Sequence, residues 1–416
     1  GKTVLRAGTA FMYDNPNLFT GSKVVTDPPF STVVTNSPNG GPLSLSTPWS
    51  AGTVIGDPFP QPWLPKPSEA VFPNGGTYTV LPDQFHPPYT IQWTASIQQQ
   101  FGKGWQAELN YIGNESAFLP YSQTLNPAVY IAGTCGTTAC STTSNSASRY
   151  LFTRQNAAVG AKYAGGGTGS SLIKSGVTSS YNALVASIQH RVGGGFALMS
   201  NYTLSHCINV VDAQGDVGST TLENPSNPNL DRANCGSDYR HIFNTSVVAE
   251  SHFSLQGLSG HLVNNWQLAP LFRITDGTPF TVTAGQDNSL TAIGNDRPVL
   301  SGSPVYTGNT ITRANKSFLN LAAFSQSSAG TYGNAGRNQF RGPNQLQLDA
   351  EVSRKFPVRE RCSLELRLES FNMLNHPVLA IPSSLSISSA STFGQITSTA
   401  SGSNARLFQG AIKLKF

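Results

Sequence analysis

Residues 345–356 read QLQLDAEVSRKF, residues 357–360 read PVRE, and residues 361–374 read RCSLELRLESFNML. In the first run Leu346, Leu348, Ala350 and Val352 alternate with Gln347, Asp349, Glu351 and Ser353. In the second, Leu364, Leu366 and Leu368 alternate with Glu365, Arg367 and Glu369. A strand turns successive side chains to opposite faces, so each run carries one apolar face and one polar face. Two such runs joined by a short link that contains Pro357 predict a β-hairpin. Asp349, Glu351, Glu365, Arg367 and Glu369 then share a face, where they pair with one another and with water. The opposite face has no charge at its centre.

The same pattern recurs outward along the chain. In Tyr89–Gln100 the odd positions Tyr89, Ile91, Trp93, Ala95 and Ile97 are apolar and the even positions are polar. Gly104–Ile112 repeats it after the turn Phe101-Gly102-Lys103. Tyr181–Val192 and Gly195–His206 flank Gly193-Gly194, a pair suited to the positive φ of a two-residue turn. Arg240–Ser254 and Leu262–Thr275 flank a short Gly-containing link, and Gly1–Asp14 and Asn404–Phe416 read as single strands. These runs predict ten strands joined alternately by short turns and by the long connections 15–88, 113–180, 207–239, 276–344 and 375–403.

Such long connections are foreign to a compact soluble domain. They are the rule on the outer side of an outer-membrane barrel, whose periplasmic turns are short. A soluble sandwich would alternate as well, but it does not explain the asymmetry of the connections. The expected fold is therefore all-β, an antiparallel up-and-down meander forming a transmembrane barrel, or the last ten or so strands of one, within a single domain over 1–416. A tilted membrane strand needs about 9–11 residues, which these runs supply. With Phe416 in the periplasm, every long connection falls outside. Trp93, Trp105, Tyr111, Tyr202, Trp266 and Phe272 are expected near strand ends as aromatic girdles.

Composition agrees. Charged residues make up 11% of the 416-residue chain, against about 25% in ordinary soluble proteins, and aromatics 10%. A solvated helical protein, a disordered chain and a helical membrane span are all excluded. The net charge of +5 forms no block, so no nucleic-acid partner is expected. No basic, apolar leader stands at Gly1, which reads as a mature, processed or truncated start. Of five cysteines, Cys135 groups with Cys140 and Cys207 with Cys235 in loop sequence, while Cys362 lies on an apolar face. Disulfides in an oxidising compartment are expected, since zinc would ask for CxxC pairs or nearby histidines.

The terminal strand places Phe408, Gly410, Ile412, Leu414 and Phe416 on one face. An amphipathic strand ending in an aromatic resembles the signal read by the outer-membrane barrel assembly machinery. Further stretches carry a family resemblance: Tyr181-Asn182-Ala183-Leu184, Ser237-Asp238-Tyr239-Arg240-His241 and Asp276-Gly277-Thr278-Pro279-Phe280. Phe318–Phe324, Gly333–Pro343, Phe371–Pro377 and Phe393-Gly394-Gln395-Ile396 complete the set. Together they resemble the C-terminal part of TonB-dependent receptors of the group with a carboxypeptidase-regulatory-like N-terminal domain. The resemblance implies a barrel of about 22 strands with a plug and a TonB box, whereas ten strands and neither of those are read here. It implies the last part of a receptor, or a shortened descendant.

No catalytic set emerges. The seven histidines are scattered, and Ser205-His206-Cys207 reads as a strand end. Asp212–Asp216 reads as a solvated turn rather than a calcium loop. Gly165–Gly169 lacks the Lys and the strand–helix setting of a phosphate loop. Asp238, Arg240 and His241 are expected to fasten a strand end. No enzyme activity, cofactor or metal is expected. The expected role is binding and uptake of an outside ligand through the connections 113–180, 207–239 and 276–344. An adhesive or structural surface protein built on the same barrel is the alternative. The expected partners are outer-membrane lipid, the assembly machinery and, only with a plug upstream, TonB.

Overall fold

In a computed structural model ten long strands form one antiparallel meander. All residues are described except 1, 15–26, 28–35, 39–42, 54, 57–73, 168, 193–194, 213–221, 254–256 and 360–361. The Gly193-Gly194 turn, the 360–361 part of the last hairpin and residues 213–216 thus lie outside the described residues. The strands are β1 Thr3–Tyr13, β2 Tyr89–Phe101, β3 Trp105–Thr124, β4 Ser171–Val192 and β5 Phe196–Asn209. They continue as β6 His241–Glu250, β7 Trp266–Thr275, β8 Gln345–Arg359, β9 Cys362–Phe371 and β10 Leu407–Lys415. Each pairs with its neighbours in chain order. The tight β2–β3 turn needs positive φ at Gly102 and Gly104, +55° and +77°, which glycine adopts without a Cβ clash.

Register fixes the faces. Ile97 pairs with Leu109, Leu268 with Val352, and Leu368 with Gly410, so the apolar sets run across the sheet as continuous rows. The polar rows match likewise: Gln98 with Glu108, Asn201 with Asn244, and Glu369 with Gln409. Leu368 is 54% exposed on the apolar face, whereas Glu365 on the polar face is 4% exposed. An apolar face turned outward and a polar face turned inward is the arrangement of a membrane barrel. Among the described residues no strand pairs with the outer edge of β1 or of β10. Hydrocarbon does not tolerate such edges, and a barrel satisfies them by further strand pairing.

Several expected boundaries are corrected. β3 runs to Thr124 and β4 starts at Ser171, so the connection 113–180 shrinks to residues 125–170. Irregular register between Ser116 and Pro120, with Phe118 at φ 56°, breaks the alternation without ending the pairing. The other long connections become 14–88, 210–240, 276–344 and 372–406. The run Leu262–Thr275 is strand only from Trp266; Gly257–Val263 is a helix, α1, inside the β6–β7 link. Tyr111 and Tyr202 lie within long strands rather than near their ends. At the short-turn end the expected Trp105 is joined by Phe101, His190 and Phe196, with neighbouring ring centroids 4.4–6.1 Å apart.

The main buried core lies outside the meander. Connections 276–344 and 372–406 fold together over Phe280, Val282, Leu319, Phe324, Phe340 and Phe393. Short pairings of Pro279–Phe280 with Phe340–Arg341, and of Val299–Leu300 with Phe324–Ser325, brace it. This core explains most of the family-like stretches quoted above: their aromatics fill it. Glycine is required at position 277 because a Cβ there would collide with the Gly342 backbone.

Candidate functional site: a loop cap over a polar wall

The polar face is a wall of amides, hydroxyls and paired charges. Arg367 lies 2.9 Å from Glu365, 3.3 Å from Glu351 and 3.4 Å from Glu369, and Lys415 lies 3.0 Å from Glu365. Four of the five charges expected on this face therefore form one network. Asp349 stands apart, accepting from Gln347 Nε2 at 2.9 Å and from the Asn372 backbone at 2.7 Å. On the opposite face Arg354 lies over the rings of Trp266 and Phe356, 5.1 and 4.6 Å from their centroids. A cation stacked in the girdle keeps its charge at the interface. The terminal strand β10 is exposed along its whole length, Phe408, Ile412 and Leu414 included, as is Phe416 after it.

Above the wall, the connections are locked to one another by buried ions. Arg297 donates from Nη1 to Asp231 and from Nη2 to Glu223, both at 2.5 Å, and from Nε to the Ala335 carbonyl at 2.8 Å. The three side chains are at most 4% exposed. Burial pushes the Glu223 carboxyl up to about 7, against the pull of Arg297 and its backbone N–H. Burial also raises Asp296, although Ser289 donates to it from both backbone and hydroxyl. Beside them burial pushes the Tyr332 phenol up to about 12, with Asp296 and Glu223 adding to the effect. Arg149, 2% exposed, ties connection 125–170 to 276–344 by donating to the Val129 and Leu290 carbonyls.

The base of the cap is fastened to the strand ends. Asp238 accepts the Cys207 backbone N–H at 2.7 Å and pairs with Arg341, with Arg240 at 3.9 Å. Asp238 and Arg240 thus fasten a strand end, as expected, and His241 joins them by its contact with Tyr202 Oη at 2.6 Å. Asp212 pairs with Arg337 at 2.5 Å and accepts from Asn209, Gly236 and Asn338. Burial would raise its carboxyl, but these donors hold it below the usual range. Asp212 is therefore a tether whose side chain stays 39% exposed, and the rest of the Asp212–Asp216 turn lies outside the described residues. His206 contacts Asn234 at 3.1 Å. Gly166 and Gly167 donate to the Asn126 and Ala292 carbonyls, so the Gly-rich tract joins two loops.

Cys207 and Cys235 are bonded with Cα atoms 5.4 Å apart at the loop base, and Cys135 and Cys140 with Cα atoms 4.8 Å apart at a loop tip. Cys362 is free. Among the described residues no His, Cys, Asp and Glu cluster is arranged to hold a metal. Between the cap and the wall runs a groove of about 800 Å³, bounded by β7, β8, β10 and residues 400–405. Glu223, Asp231, Arg149 and Arg297 gave no sequence signal, because partners up to 141 residues apart show no spacing to read.

A sequence model described as outer membrane beta barrel domain matches residues 1–409. No curated protein is detectably similar. Among solved structures, the outer membrane transporter YddB of Escherichia coli aligns over 100% of this chain and 39% of its own, at 9% identity and a TM-score of 0.47. A variant of the ferric enterobactin receptor PfeA of Pseudomonas aeruginosa aligns over 100% and 38%, at 10% identity and 0.43. The ferripyoverdine receptor of the same organism aligns over 80% and 28%, at 8% identity and 0.37. The chain thus spans well under half the length of the solved chains it resembles. The family match runs from β1 into the start of β10, and on it the chain is a bacterial outer-membrane protein that belongs to the outer membrane beta barrel domain family.

Proposed function

We propose that this chain forms barrel wall and outer cap of a receptor of TonB-dependent type, which captures an extracellular solute for uptake. The observation that carries the reading is the folded cap fastened over a polar wall, with a groove between them. Loops that served only to cover a strand end would not need a core of their own. In this reading the long connections face outside and the short turns face the periplasm. Energised import through TonB follows where a plug precedes the barrel, and the terminal strand is the contact for the assembly machinery.

The test compares cells that carry the gene with cells that lack it, both in a defined mixture of small solutes. Mass spectrometry of the medium should show one solute depleted only by the former. Equal depletion by both, with surface adhesion gained by the former, would overturn uptake in favour of an adhesive role.

A further inference from the structure

We infer that the groove beneath the cap binds a carboxylate-bearing saccharide, with Arg273 as the anchor for the carboxylate. Arg273 and Thr275 of β7 stand directly opposite Gln347 and Gln345 of β8. Opposed residues on one face have Cβ atoms about 4.5–5.5 Å apart, so the four side chains make a single patch. Gln409 of β10 and Tyr239 of the cap base complete the lining. The groove's volume of about 800 Å³ lies within the usual range of ligand sites.

Five other cap and wall arginines are already engaged. Arg149, Arg297, Arg337, Arg341 and Arg367 each donate to carboxylates or carbonyls. Arg273 is exposed and makes no hydrogen bond or ion pair among the described residues. No Asp or Glu lines the groove. Thr275 is 2% exposed, yet its Oγ1 has no partner. Buried hydroxyls are normally satisfied, and an orphan marks a place for a further group. A guanidinium fork without a counter-ion matches a planar carboxylate in bidentate fashion. The surrounding amides and hydroxyls match sugar hydroxyls, and Tyr239 and Phe371 offer rings to the apolar face of a sugar. The lining offers no anion to receive an ammonium group, which disfavours amino acids.

The inference rests on the uptake reading only in that the solute arrives from outside. Its test is calorimetric titration of the detergent-solubilised chain with digalacturonate and with its neutral dimethyl ester. Digalacturonate should bind and the ester should bind far more weakly. Arg273→Gln should weaken digalacturonate by about ten- to a hundredfold, the worth of hydrogen bonds to a charged group. Arg273→Lys, which keeps the charge and loses the fork, should fall between. Circular dichroism and the cap disulfides of the variants should match the parent. Absence of digalacturonate binding, equal binding of the ester, or unchanged affinity in Arg273→Gln would each overturn the inference. Binding that requires Arg273 supports it even in cells that do not deplete the sugar, an outcome that would count against uptake alone.

Discussion

Replacing Arg297 by Met should open the cap, and by an amount that depends on pH. Arg297 is the cation between Glu223 and Asp231, with all three side chains at most 4% exposed. Removing one partner of a buried ion pair costs about 3–5 kcal/mol, because the other charge stays buried and unpaired. Two carboxylates are stranded here, together with the Ala335 and Leu230 carbonyls that Arg297 also serves. That cost should speed exchange of the cap-core amides Thr283 and Phe318, bonded to the Leu385 and Gly394 carbonyls, by about two to four powers of ten. Folding raises the Glu223 carboxyl from 4.5 to about 7. The folded cap therefore holds a proton that the opened cap releases. The stability linked to that proton is complete below the ordinary value and is lost as pH rises through about 7. In the parent protein the loss between pH 6 and 8 comes to about 1 kcal/mol. In Arg297→Met the damage should be larger at pH 8 than at pH 6, where Glu223 takes up a proton and removes one of the two stranded charges. Adding Glu223→Gln should restore part of the protection at pH 8. Hydrogen exchange followed by mass spectrometry reads all of this. Parental protection in Arg297→Met at pH 8 would refute the reasoning.

Three more outcomes are expected. Leu368→Arg should cost about 2–4 kcal/mol, measured by urea unfolding in vesicles, and Leu366→Arg should cost less, because Leu366 pairs with Arg354 in the girdle while Leu368 pairs with Val352 and Gly410. Replacing Cys207 and Cys235 by Ser should lower cap stability by about 3–4 kcal/mol by the chain-entropy model, read as faster exchange of the Cys235 amide, which is bonded to the Cys207 carbonyl. Trypsin on intact cells should cut at exposed Arg313 and spare Lys103 in the β2–β3 turn, and cleavage at Lys103 without cell breakage would reverse the orientation.

What could be read from the sequence was whatever is periodic. Alternation gave all ten strands, and the pairing of Leu366 with Ile412 shows how directly it set the faces. It failed where a bulge interrupts it, at Phe118, and where α1 mimics the start of β7. The cap was opaque for a different reason. Phe280, Leu319, Phe340 and Phe393 fall at no fixed spacing, so their convergence on one core is a tertiary fact. The same holds for Arg297 and Glu223, 74 residues apart, and for Arg273, which strand register and the folded cap bring to the groove. The cysteine pairs were accessible because chain neighbours and strand pairing bring them together without any long-range packing.

The central claim is that Leu368 faces lipid while Glu369, one residue on, faces the interior. In a Cys362→Ser background, Leu368→Cys and Glu369→Cys are each labelled with a fluorophore and reconstituted with brominated lipids. Strong quenching at position 368 and little at 369 is the predicted result. Equal quenching at both positions, or stronger quenching at 369, would contradict the barrel described here.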